Sequence, residues 1–347
     1  MKRIGRAVAA FAAFVVALCL TSWLIHESLP LPSVPAVQAK LTYLADHVNE
    51  YDTLFLGSSR IYHQIIPEQF DRLMAERGMP TRSFNSGVDG MRPPEDAYVF
   101  DQIRGMSPKN IRWVVLELAS LRMPVDEDKK GTVRAVYWHD WERLMLLTRR
   151  AFVEEKKRKL KDRLESLQEP LTHLADHIAL FVQNRGNIGR AEVLTHYLRR
   201  KRPPKIYWNP LGPRKDGFVI TGRPEEMLES YRIPFERELA KRKKEPARED
   251  EADPVSQLAL GRMLEKIRSI GATPVLVVPP TTGKKKFIPS AEHGDVVVLD
   301  YSDVQKYAVL YENRYRLDTD HVNTEGAKVF TDIFVEEFAA AVTGKDD

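Results

Sequence analysis

The hydrophobic pattern begins with an unbroken, mostly apolar stretch from Ala7 to Ile25. As a helix it is long enough to cross a hydrocarbon core about 30 Å thick. Lys2, Arg3 and Arg6 precede it, and apart from His26 the next basic side chain is Lys40. The positive-inside rule therefore places residues 1–6 in the cytoplasm, 7–25 across the membrane with Trp23 at the far interface, and everything after Ile25 outside. The competing reading is a cleaved signal peptide, with Val37-Gln38-Ala39 as its cleavage site. Residues 26–50 then read as a spacer stiffened by Pro30, Pro32 and Pro35, followed by a lead-in helix from about Ala36 to Asn49.

From residue 51 the pattern alternates between short apolar runs and amphipathic stretches. Asp52 to Leu56, Arg82 to Phe84 and Ile111 to Leu118 read as strands, with helices over Pro67 to Arg77 and Pro94 to Ile103 between them. The same alternation returns late in the chain. Leu258, Leu260, Met263, Leu264, Ile267 and Ile270 form the apolar stripe of a helix from Pro254, closed by Gly271. Strands at Thr273 to Val278 and Val296 to Leu299 follow, and a final helix spans Thr324 to Val342. Strands that alternate with helices predict a parallel sheet. Five in this order fit a flavodoxin-like three-layer α/β/α sandwich, built from residues 51–122 and 254–347. Residues 123–253 differ: Lys156 to Leu167 is charge-dense and helical, Leu171 to Val182 amphipathic, Arg199 to Lys205 basic, and Lys241 to Asp253 a charged linker. They read as a mostly helical cap inserted after the third strand.

Composition narrows the picture only slightly. The 347 residues carry a formal net charge of +4, too small by itself to point to nucleic acid. The basic runs are interleaved with glutamates in the first charged helix and lack regular aromatic spacing, so they read as solvated helix faces. Cys19, the single cysteine, lies inside the apolar stretch, which leaves the remainder without disulfides or thiolate metal sites. No second histidine or cysteine stands at ligand spacing from Asp318 and His321, and neither metal nor cofactor is expected.

Candidate chemistry sits at the ends of predicted strands. Gly57-Ser58-Ser59 is a small-residue turn directly after the first strand, where open α/β sheets face their ligand crevice. A serine hydroxyl needs an imidazole to remove its proton and a carboxylate to orient that imidazole. Asp318 and His321, just ahead of the final helix, have the spacing to supply both from one turn, with Asp320 as a rival acid. A plain surface turn, capped by Asn323 or Thr324, is the simpler alternative. His139, within YWHDWERL, is a candidate to join from the insertion.

Together these segments resemble the SGNH (GDSL-like) hydrolase superfamily. Gly57-Ser58-Ser59 is similar to its first block, with Ser58 where aspartate is usual. Asn85-Ser86-Gly87-Val88-Asp89-Gly90 is similar to the second, and Asp318-Thr319-Asp320-His321 matches the last. The resemblance implies Ser59 as nucleophile, His321 as base, Asp318 as orienting acid, and the backbone N–H groups of Ser59 and Gly90 as an oxyanion hole. The third block normally brings an asparagine donor; here Ala119-Ser120-Leu121-Arg122 places Leu121 there, with Ser120 and Arg122 as candidate substitutes. Losing one such donor costs about 10²- to 10³-fold in rate where an enzyme relies on it. The GSSR form behind a single membrane helix looks like the membrane-anchored branch of cell-envelope acylation proteins. That implies an extracytoplasmic serine esterase or O-acyltransferase acting on an acylated envelope carbohydrate, with a membrane-bound acyltransferase as partner. The rival expectation, carried by Leu121, is a weakly active or inactive binding or assembly protein of the envelope.

Overall fold

A computed structural model describes residues 2–28, 34–126, 129–153, 168–187, 194–195, 198–199, 206–221, 227–250, 253–283 and 285–344. Pro30 and Pro32 of the expected spacer, the whole charged run at 156–167 and the basic residues 200–205 lie outside them. The chain forms two compact units, Met1–Val34 with Met123–Ile206, and Pro35–Arg122 with Tyr207–Asp347.

The second unit holds a five-stranded parallel sheet. Its strands are β1 (Thr53–Leu56), β2 (Ser83–Asn85), β3 (Trp113–Glu117), β5 (Thr273–Val278) and β7 (Val297–Asp300). A separate parallel pair joins β4 (Arg248–Asp250) to β6 (Lys285–Phe287), so strand lies where the charged linker was expected. The main sheet runs β2-β1-β3-β5-β7. Counted along the chain, these five strands have the order 2-1-3-4-5, compatible with the expected flavodoxin-like sandwich. Parallel strands need covered faces, because their crossover helices pack on both sides and shield the backbone ladder. On one face Phe55, Val115, Val275 and Val277 pack with Phe70 of helix Pro67–Glu76 and with Phe330, Phe334 and Phe338 of the final helix, Thr324–Thr343. Leu54, Val114, Leu116 and Leu276 alternate to the opposite face and are also buried.

The expected boundary of the insertion at Asp253 is not where the compact units divide. Residues 207–221 belong with the sheet unit, held by backbone polar groups that carry no hydrophobic signature. Asn85 N–H donates to Asp216 O at 2.8 Å. The buried Lys40 ammonium donates to Asn85 O, Gly87 O and Gly217 O at 2.9, 2.5 and 2.8 Å. Burial pulls this lysine well below its ordinary pKa, against the opposing pull of Asp89 and Asp216. Gly217 makes the close approach possible, since its φ of 83° is left-handed and a side chain would strike Asn85 O. Val37 and Ala39 of the alternative cleavage site are buried in the helix Pro35–His47, next to Lys40.

In the first unit, α1 (Lys2–Ser28) contains Ile4–His26, a segment long and apolar enough to cross a membrane. Helices Trp141–Val153 and Gln168–Arg185 pack against each other and bury Leu144, Leu147, Leu174 and Leu180. His139 lies in this unit. Its Nε2 bonds to His177 Nδ1 at 2.8 Å, both rings are buried, and burial, reinforced by His177, pulls the His139 imidazole down to about 3.

Candidate active site

Strand β1 ends at Leu56, and the chain turns so sharply at Gly57 that no side chain fits there. A Cβ would lie 2.5 Å from Glu117 Cβ and 2.5 Å from Ile61 Cγ1. Ser58 then caps a single helical turn, Ser59–Tyr62, by accepting from Arg60 N–H. This turn presents Ser59 at the carboxyl end of the sheet, between β1 and β3, where the strand order reverses.

His321 meets Ser59 from the other end of the chain. Ser59 Oγ lies 2.8 Å from His321 Nε2, and His321 Nδ1 lies 2.9 and 3.0 Å from the two oxygens of Asp318. A carboxylate can only accept, so the Nδ1 proton faces Asp318 and Nε2 is left to accept from the serine hydroxyl. Burial works to raise the Asp318 carboxyl, but the hydrogen bond and charge of His321, with backbone N–H groups of Asp320 and His321, hold it well below the usual carboxylate range. Asp320 is engaged elsewhere, accepting from Thr281 Oγ1 at 2.7 Å. Asn323 caps the final helix by accepting from Gly326 N–H at 2.8 Å.

The turn that carries Asp318 and His321 is braced by a residue the motif reading passed over. Arg316 is fully buried, and its guanidinium donates to the carbonyls of Asp318, Pro280 and Thr319 at 3.2, 3.2 and 2.7 Å. Glu117 was missed as well. Its carboxylate, 4% exposed, accepts from Ser58 N–H (2.6 Å), Ser58 Oγ (3.0 Å), Arg60 Nε (2.9 Å) and Arg60 Nη2 (2.6 Å). Burial works against the Arg60 charge, but Glu117 and Asp320 outweigh it and hold the guanidinium above its usual range. The two residues flanking Ser59 are thus clamped by one buried carboxylate. The available signal was a lone charge inside the apolar run WVVLEL.

These residues open onto a cavity of about 290 Å³ lined by Ser58, Ser59, Arg60, Gly90, Ser120 and His321, with Arg92, Thr281 and Lys286 among the polar remainder. Gly90 has a left-handed φ of 63°. Of the two candidates beside Leu121, Ser120 lines the cavity and Arg122 does not. Leu121 itself is buried, with its N–H donating to Ser256 Oγ at 3.0 Å. Asn85 faces inward. Its amide donates to Ile61 O and Ile65 O at 2.8 and 3.0 Å, and its Oδ1 accepts from Gly87 N–H at 3.0 Å, joining the loops after β1 and β2.

No protein-family model matches the chain, and no curated protein matches it.

Proposed function

We propose that this chain is a membrane-anchored, SGNH-like serine esterase or O-acyltransferase of flavodoxin-like fold, acting outside the cytoplasmic membrane on an acylated envelope carbohydrate. The observation that carries the reading is the continuous Ser59–His321–Asp318 hydrogen-bond chain at the mouth of a cavity. Ser59 Oγ attacks the acyl carbonyl carbon while His321 Nε2 takes its proton. Asp318 holds the ring and balances the imidazolium charge. Collapse of the tetrahedral intermediate expels the carbohydrate oxygen, which leaves with the proton from His321, and the acyl group stays on Ser59. Water then releases it as an acid, or a sugar hydroxyl accepts it as a new ester, with His321 again taking and returning a proton. The N–H groups of Ser59 and Gly90 are the oxyanion donors this reading requires, and the Ser120 hydroxyl is the candidate for the role Leu121 cannot fill.

Full-length protein in detergent, treated with a fluorophosphonate probe, tests the nucleophile. Labelling of the wild type and its loss in Ser59→Ala and His321→Ala are expected. An unlabelled wild type, or equal labelling of Ser59→Ala, overturns the assignment and favours the binding or assembly role.

A further inference from the structure

Among the described residues, the helical unit keeps a second apolar surface that is exposed. On the helix Gln168–Arg185 the inward side carries the buried Leu174, His177, Leu180 and Asn184. Leu171, Ala175, Ile178, Ala179 and Val182 are exposed, at i, i+4, i+7, i+8 and i+11 from Leu171. That spacing is one uncharged face about three turns long. Glu169, His173 and Asp176 fall on the far side, where Asp176 pairs with Lys130. The neighbouring helix Trp141–Val153 repeats the arrangement. Trp141, Met145 and Phe152 share one exposed stripe, bordered by Arg149, while Leu144, Leu147 and Ala151 face inward. The rings of Trp141 and Phe181 pack 5.9 Å apart where the helices meet.

The attachment of this pair to α1 identifies what covers the surface. Ser22 of α1 bonds through its hydroxyl to the carbonyl of Arg185, and Asn187 Nδ2 donates to Ser22 O at 2.9 Å. Both partners lie at the carboxyl end of the helix that bears the Leu171 stripe. Ile4–His26 has 23 residues, about 34 Å of helix against a hydrocarbon core of about 30 Å. Ser22 is about 6 Å short of the end of that segment, about 4 Å inside the acyl boundary when the segment is centred on the core. With α1 across a bilayer, Arg185 and Asn187 therefore sit at its boundary, and Val182 and Ile178 follow within two turns. A helix with one apolar and one polar face at this level lies in the interfacial layer, with its apolar face about 5 to 10 Å into the boundary.

We propose that the exposed stripes of these two helices dock on the bilayer beside α1, so that the chain is held by an interfacial helix pair as well as by its span. Large half-exposed apolar side chains such as Ile178 (46%) and Val182 (53%) are costly in water and favourable against acyl chains. Arg149 at the stripe edge and Arg185 at the boundary are placed to meet anionic headgroups. The proposal is independent of the chemistry assigned to Ser59.

The test uses full-length Cys19→Ser protein in vesicles of phosphatidylethanolamine and phosphatidylglycerol, with or without brominated acyl chains. Single cysteines carrying an environment-sensitive fluorophore are placed by Ile178→Cys and Val182→Cys on the stripe and by Glu169→Cys off it. Bromolipids are expected to quench the labels at 178 and 182, which stay shielded from aqueous iodide, with Glu169→Cys showing the reverse. Ala175→Cys, on the same face, supplies the reading if either stripe variant fails to fold. Iodide quenching at 178 and 182 without bromolipid quenching overturns the proposal. So does disulfide-linked dimer formation by Ile178→Cys without bromolipid quenching, which assigns the surface to a second copy of the chain.

Discussion

Replacing Glu117 by alanine removes the carboxylate to which both neighbours of Ser59 donate. Truncating one partner of a buried ion pair costs about 3 to 5 kcal/mol. Arg60 keeps 20% of its side chain exposed, so water takes up part of the guanidinium and the lower end, about 3 kcal/mol, applies. Ser58 is buried, and leaving its N–H and hydroxyl without their acceptor adds about 1 to 3 kcal/mol. The expected loss is about 4 to 6 kcal/mol. In a unit of this size each kcal/mol moves the thermal midpoint by about 2 to 4 °C, so the midpoint falls by roughly 8 to 24 °C. Thermal unfolding of the full chain in detergent, followed by near-ultraviolet circular dichroism, reads this directly. Arg60→Met combined with Glu117→Leu removes both charges and is expected to recover the ion-pair share of the loss. Fluorophosphonate labelling of Glu117→Ala, measured well below its midpoint, is expected to slow because Ser58 and Arg60 no longer fix the turn that presents Ser59. A loss below about 1 kcal/mol, the scale of a solvent-exposed pair, refutes the reasoning, as does a double variant no more stable than Glu117→Ala.

The remaining predictions concern the same site. Gly57→Ala forces a methyl group to 2.5 Å from Glu117 Cβ and Ile61 Cγ1, so it is expected to cost about 1 to 3 kcal/mol and to slow labelling of Ser59; urea unfolding with an unchanged wild-type midpoint counts against the tight turn. Asp318 titrates below its unfolded value because of His321. Its contribution to stability is therefore fully present above about pH 4 and is lost as pH falls toward the folded value. The stability gap between wild type and Asp318→Asn, measured by denaturant titration from pH 5 downward, is expected to narrow; a gap that widens in acid contradicts this.

Much of the sheet was legible because each strand is a short apolar run followed by turn residues, and each covering helix shows its own period. Thr273–Val278 was located to the residue and the others within one or two, the usual ambiguity where a strand frays into its turn. The turn carrying Asp318 and His321 was equally legible, since a contact within four residues needs only local geometry. The pairing with Ser59 was an expectation drawn from motif order, and the proximity itself came from parallel crossovers that bring the carboxyl ends of β1 and β7 to the same end of the sheet.

Sequence alone determined what depends on neighbouring residues: the long apolar α1, the alternation of strands with helices, the Gly57 turn and the Asp318 to His321 spacing. Tertiary structure decided the rest. A charge in an apolar run carries no mark of its partner, so only the fold shows that Glu117 clamps Ser58 and Arg60. Arg316 looks like any surface arginine until the chain closes over it and gives it three carbonyls. Residues 207–221, with little hydrophobic pattern, join the sheet unit through Lys40 and backbone hydrogen bonds. Hydrophobic period is a one-dimensional signal, whereas buried polar pairing is set by which distant backbone groups the fold leaves in need of a partner.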